Sequence, residues 1–198
     1  MEIDKVVEIS AIILSLLYVW LAAQENKWCW LFGGLGSAIY VFINYQAALY
    51  YDAVLQLYYV AVAIYALALW NNRSNSSLPT ITKITHSRWA SLMVIGMAAT
   101  YVLGKFGKTY LAQTSSFIDA GVTIFSLIAT WMTAKKMIEN WWMWIAIDAV
   151  AAYMYFSKQL YATSGLYILF CLMACYGFWE WQKKISTGEN RDLQRASS

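Results

Sequence analysis

Charge is what this chain has least of. Only 13% of its 198 residues are charged and 61% are hydrophobic, against about 25% charged in a soluble domain. Proline is nearly absent, with Pro79 alone, and so is histidine, with His86 alone in a polar stretch. One histidine outside the apolar runs leaves no H-E-x-x-H pair and no nucleophile with its base, which argues against an intramembrane enzyme. Cys29, Cys171 and Cys175 lie in apolar stretches without a histidine companion and read as small buried hydrophobes rather than a metal or redox pair. No G-x-x-x-x-G-K-[ST] segment is present, so no nucleotide-driven step is expected. A net charge of +3, with no basic stripe of interleaved aromatics, gives no nucleic-acid signal. Neither a cofactor nor a metal is called for.

What is there is long apolar sequence. A membrane helix needs about 20 predominantly apolar residues. Seven such spans are read at 6–23, 28–46, 49–70, 89–107, 115–134, 140–157 and 160–182, those at 28–46 and 140–157 being the shortest and most aromatic. The runs are too continuous for the alternating strands of a barrel. The fold class expected is therefore an all-α integral membrane protein. Met1-Glu2-Ile3-Asp4-Lys5 lacks a basic leader and a small-residue cleavage site, so the first run reads as a retained helix. The stretch after Lys184, polar and mixed in charge, reads as a disordered tail.

The chain also repeats itself. Glu25-Asn26-Lys27-Trp28-Cys29-Trp30 returns as Glu139-Asn140-Trp141-Trp142-Met143-Trp144, 114 residues on. Around this segment the shift is 111: Glu8, Ser15, Trp20 and Ala23 fall on Asp119, Ser126, Trp131 and Ala134, while Leu49-Tyr50, Leu55, Tyr65 and Trp70 fall on Leu160-Tyr161, Leu166, Tyr176 and Trp181. Many transporters are built from such repeats, with substrate held where they meet. The organisation expected is a first three-helix bundle at 1–70, a polar linker at 71–88, a connecting helix at 89–107, a second bundle at 115–182 and a polar cytoplasmic tail at 183–198. An odd helix between two triplets makes them parallel repeats. Lys27, Arg73, Lys83, Arg88, Lys135, Lys136, Lys183, Lys184, Arg191 and Arg195 fall on one side; Lys5, Lys105, Lys108 and Lys158 fall on the other. The positive-inside bias puts the C-terminus in the cytoplasm and the N-terminus outside.

Asp148 is the most telling residue. It lies eight residues into its span, about 12 Å deep at 1.5 Å per residue, where an acid costs on the order of 2.5–3.5 kcal/mol. Apart from Lys105, at the end of the span 89–107, no Lys or Arg lies inside a span to neutralise it. A water-lined cavity or a cationic ligand is needed, unless the acid is protonated and bonded to a neighbouring helix. Trp144, four residues earlier, shares its face, and a carboxylate beside an indole suits an aromatic cation. Gln56, whose amide both donates and accepts, has Tyr59 on its face; interhelical bonding is the competing role. Glu8 and Asp119 read as outer-mouth acids that draw cations, or as acids complementing a helix N-terminus. Trp28, Trp70, Trp89, Trp141, Trp142 and Trp181 sit at span ends as an interfacial belt; Tyr58, Tyr59, Tyr65, Trp144 and Tyr153 lie deeper. Asn44 and Asn140 read as caps or packing residues. Gly33, Gly34, Gly36 and Ser37 allow close helix approach. Gly34 or Gly36 stands where the second half has Asp148, so the halves are chemically unequal.

Glu139-Asn140-Trp141, Trp144 and Leu160-Tyr161, with Leu49-Tyr50, Gln56, Tyr65 and Trp70 in the first half, resemble the PnuC family of vitamin transporters. The likeness covers essentially the whole chain up to Lys184. Ala66 stands where glycine is usual, and Asp148 and Ala63 stand where some nicotinamide riboside carriers have asparagine. The resemblance implies two three-helix bundles joined by a linker helix, as in the SWEET sugar transporters. It implies facilitated diffusion of an unphosphorylated vitamin, trapped afterwards by a cytoplasmic kinase, and assembly as homo-oligomers, trimers in this family. Substrate contacts in spans three, six and seven carry over to Gln56, Trp144, Tyr167 and Tyr176. The expectation is a bacterial inner-membrane carrier for a cationic vitamin, nicotinamide riboside ahead of thiamine, with large neutral riboflavin fitting less well. A non-transporting membrane sensor is the reading from another class; a retinal photoreceptor is excluded, because the last span has no lysine.

Overall fold

The computed structural model describes residues 2–46, 50–71, 80–110 and 116–196. The central part of the polar linker, 72–79, and Leu49 of the repeat lie outside the described residues. Seven helices follow in order: α1 (Glu2–Ala23), α2 (Cys29–Gln46), α3 (Tyr50–Asn71), α4 (His86–Tyr110), α5 (Ser116–Ala134), α6 (Asn140–Ser157) and α7 (Tyr161–Ala196). Among the described residues the only β-pairing is the isolated bridge of Thr82 with Met137. The fold is all-α and membrane-embedded. Ala53–Asn71, His86–Thr109, Phe117–Ala134 and Tyr161–Gly188 are long and apolar enough by themselves to cross a bilayer. In α2 and α6, tryptophan, tyrosine, asparagine and glycine dilute the apolar run. The tail is not disordered as expected, because α7 continues through Ala196. Residues 183–196 hold no proline and are rich in Lys, Glu, Arg, Leu, Gln and Ala, which favour helix.

Three helices end in the same way. Glu25, Lys136 and Gln159 take left-handed φ of 60°, 53° and 61° after α1, α5 and α6. The next residue then donates back to the last turn: Asn26 N to Leu21 O at 2.9 Å, Met137 N to Met132 O at 3.0 Å, and Leu160 N to Tyr155 O at 3.0 Å. This is the Schellman closure, which uses carbonyls the helix end leaves free. Glu25 and Lys136 thus take the same turn position after α1 and α5, with opposite charges.

Chain contacts divide the protein into two compact units. The first comprises Met1–Ile81, Ala134–Lys136 and Tyr176–Ser198. Within it α2 packs through its glycines. A Cβ on Gly33 would stand 2.8 Å from the Tyr18 ring, and one on Gly34 would stand 3.2 Å from the Cβ of Ala63. Trp30, 2% exposed, meets Tyr18 and Trp70 edge-on at 5.6 and 5.7 Å. Trp70, Trp141 and Trp181 are buried, which corrects their assignment to the interfacial belt; exposed Trp28 and Trp142 fit it. The physical reason lies in their neighbours. Trp70 Nε1 donates to Ala134 O at 2.9 Å and Trp181 Nε1 donates to Ala22 O at 3.1 Å, each capping the end of a helix from the other half of the repeat. Beside them Glu25 joins Lys136 at 2.9 Å and Lys184 at 3.1 Å. Lys184 also donates to Gln24 O at 2.9 Å.

The second unit comprises Thr82–Thr133 and Met137–Cys175. Here α4 lies against α5 along one seam. Phe125 fills the space over Gly96, the methyl of Thr100 lies 3.5 Å from where Gly121 would carry a Cβ, and Phe117 fills the space over Gly104. As the residue number rises along α4 it falls along α5, as antiparallel helices require. Ala129, Met132, Met143 and Ile147 form the core, flanked by Trp89, Phe125 and Trp144. Ahead of α4, Ile138 N donates to Thr82 O at 3.0 Å. The Glu139 carboxylate accepts the Ile84 N–H at 3.1 Å on both oxygens.

Candidate functional site

Asn140, Trp144 and Asp148 follow at four-residue spacing and share one side of α6. Asn140 is fully buried, Asp148 is 6% exposed, and Trp144 is half-buried. Asp148 is set among buried Ile147, Ala151 and Ala152. Its carboxylate has no hydrogen bond or ion pair among the described residues. From α7, the half-buried Cys171 meets α6, its Sγ donating to Ile145 O at 3.8 Å. A buried acid without a fixed cation is a costly arrangement in hydrocarbon. Four residues from an indole on the same side of α6, it has the charge to receive a flat cation.

The other predicted residues divide between the units. Tyr167 is in the second unit with Trp144 and Asp148, stacked on Tyr155 of α6 at 5.3 Å and 11°. Gln56 and Tyr59 are half-buried on α3 in the first unit. Tyr176 is there too, stacked on Trp20 of α1 at 5.4 Å and 8°. Asp119 lies half-buried in the first turn of α5. Glu8 belongs to α1, its side chain outside the described residues. Tyr153 is 73% exposed, because its position on α6 turns away from the face that carries Asp148. Cys175, expected to be buried, is exposed; it lies one turn beyond Cys171 on the apolar surface of α7.

Sequence reasoning missed two residues. Thr133, fully buried at the end of α5, receives the Trp144 Nε1–H at 3.3 Å. Its hydroxyl reaches Asn140 Oδ1 at 3.0 Å and Ala129 O at 2.9 Å. Tyr155, the partner of Tyr167, passed as one aromatic among many. Tyr155 had helical spacing as a signal, seven residues beyond Asp148 on α6; Thr133, on α5, had none. No group of His, Cys, Asp and Glu able to hold a metal occurs among the described residues.

The chain is similar throughout to membrane carriers. It is 24% identical over 174 residues to the riboflavin/roseoflavin transporter RibM of Streptomyces davaonensis, covering 85% of this chain and 81% of that one. It is 22% identical over 204 residues to the nicotinamide riboside transporter PnuC of Escherichia coli, covering 88% and 84%. Its fold matches a crystal structure of the vitamin B3 transporter PnuC with a TM-score of 0.74 and 18% identity, over 93% of this chain and 83% of that one. Residues 5–183 match the family model of the nicotinamide mononucleotide transporters. This multi-pass membrane protein therefore belongs to the nicotinamide mononucleotide transporter family, whose members found here are transporters rather than enzymes.

Proposed function

We propose that the protein is a bacterial inner-membrane carrier that takes up an unphosphorylated cationic vitamin, nicotinamide riboside ahead of thiamine. The observation that carries this reading is Asp148, buried without a fixed cation among the described residues, four positions from half-buried Trp144 on the same side of α6. A positively charged aromatic ring offsets the cost of the carboxylate and stacks on the indole. Gln56, Tyr59, Tyr167 and Tyr176 supply amide and ring contacts in this reading, and Glu8 and Asp119 attract the cation at the outer mouth. The spans run three, one, three, with the N-terminus outside and the C-terminus in the cytoplasm. The site opens alternately to each side, and the chains assemble as homo-oligomers, as trimers by the family resemblance. Transport runs down the concentration gradient, and a cytoplasmic kinase traps the product. The Streptomyces relative supports a second reading, riboflavin, whose neutral ring gives Asp148 no such task.

The test titrates purified protein with nicotinamide riboside, thiamine and riboflavin by calorimetry, then measures uptake of the tightest binder into vesicles. A cation binding tightest, with equilibration across the bilayer in the absence of ATP or an imposed proton gradient, is the expected outcome. Preference for riboflavin overturns the cationic reading. Tight binding without equilibration points to a sensor instead.

A further inference from the structure

The ring of Trp144 is held from behind by a buried relay. Its Nε1–H donates to Thr133 Oγ1 at 3.3 Å. The Thr133 hydroxyl proton has Asn140 Oδ1 at 3.0 Å and Ala129 O at 2.9 Å as acceptors. Asn140 Nδ2 donates in turn to Met137 O at 2.6 Å. Thr133 and Asn140 are both fully buried, so water does not compete for these bonds, while the indole itself is half-buried.

The duplication supplies a comparison within the same chain. The repeat places Ala22 where the second half has Thr133, Asn26 where it has Asn140, and Trp30 where it has Trp144. Ala22 has no hydroxyl. Asn26 Oδ1 instead accepts the backbone N–H of Trp28 at 3.1 Å. Trp30 is 2% exposed, and its Nε1 has no hydrogen-bond partner among the described residues. Tyr18 and Trp70 close on it edge-on. Where the relay is missing, the ring is sealed into the core; where the relay is present, the ring is only half-buried, on a helix position that shares its side with Asp148.

We infer that Thr133 and Asn140 are positioning residues that fix the ring plane of Trp144 as the stacking platform for a flat aromatic ligand, and that the first half has lost this platform. The inference rests on the proposed reading that Trp144 touches substrate. A half-exposed indole without a bonded N–H samples several rotamers, and ordering it on binding weakens affinity.

A double-mutant cycle on the full-length protein tests this, with nicotinamide riboside as the probe and calorimetric affinity as the readout. Thr133→Val keeps the shape and removes the hydroxyl. It is expected to weaken binding about tenfold with Trp144 in place, and by less than about twofold in a Trp144→Phe background, where no N–H remains to hold. Thr133→Ser, which restores the hydroxyl, is expected to stay within about twofold of the parent. Where valine prevents folding, Thr133→Ala, which copies the first half, takes its place. An equal loss in both backgrounds, or no loss beside Trp144, overturns the positioning role. Trp144→Ala binding as tightly as the parent removes the site reading itself, which is a separate failure.

Discussion

At the scale of single residues, Asp148 is the group whose chemistry separates the substrate readings. Its burial and the lack of a fixed partner among the described residues leave a carboxylate that a cationic ring favours and a neutral ring does not. Asp148→Asn keeps the shape and removes the charge. Affinity for nicotinamide riboside is expected to fall about tenfold or more, a loss of roughly 1.4 kcal/mol, while affinity for riboflavin holds or rises. Calorimetry with both ligands reads the difference, and equal losses would show that the charge has no part in recognition. Asp148 was legible in the sequence because an acid inside an apolar run is conspicuous. Thr133 was not. A threonine in a helix ordinarily bonds a carbonyl one turn back, as Thr130 does to Ser126 O at 2.8 Å, and nothing in the pattern separates such a residue from one that also holds an indole.

At the scale of elements, the apolar runs located the helices to within a few residues except at the end of α7, because a span must be long and continuous whatever it packs against. Their endings were harder to read. Glycine is the usual residue for a left-handed closure, yet Glu25, Lys136 and Gln159 occupy these positions. The first two have a reason, since Glu25 and Lys136 pair with each other. Gln159 is exposed and merely tolerates the strain. A non-glycine residue there costs about 1–2 kcal/mol, against roughly 0.5–1 kcal/mol for the extra freedom of glycine in the unfolded chain. Gln159→Gly is therefore expected to raise the thermal unfolding midpoint in detergent by about 2–4 °C, with vitamin affinity unchanged. A lowered midpoint would mean that the side chain of Gln159 contributes more than its exposure suggests. The tail was misread for a related reason: polarity signals solvent, and solvent-facing helix and disordered chain share that composition.

At the scale of the whole chain, the duplication has diverged in its chemistry while keeping its joints. Glu25 and Glu139 hold equivalent places, yet one binds two lysines and the other a backbone N–H. What persists is a pair of crossed bonds. Trp70, from the first half, caps α5 at Ala134; Trp181, its counterpart 111 residues later, caps α1 at Ala22. Lys136, 4.4 Å from the Trp70 ring centroid and 2.9 Å from Glu25, ties the two joints together. Sequence showed the repeat but not this exchange, because a tryptophan at a span end looks the same whether it faces headgroups or a neighbouring helix. Phenylalanine at either position keeps most of the ring and removes the donor, leaving a helix-end carbonyl without its partner. Trp70→Phe and Trp181→Phe are each expected to lower stability by about 1–2 kcal/mol. Since Glu25 and Lys136 link both sites, the double variant is expected to lose more than the sum of the two. Thermal midpoints of the four proteins in one detergent measure this. Strict additivity would mean that each tryptophan caps its helix independently, and that the crossed arrangement is inherited geometry without cooperative strength.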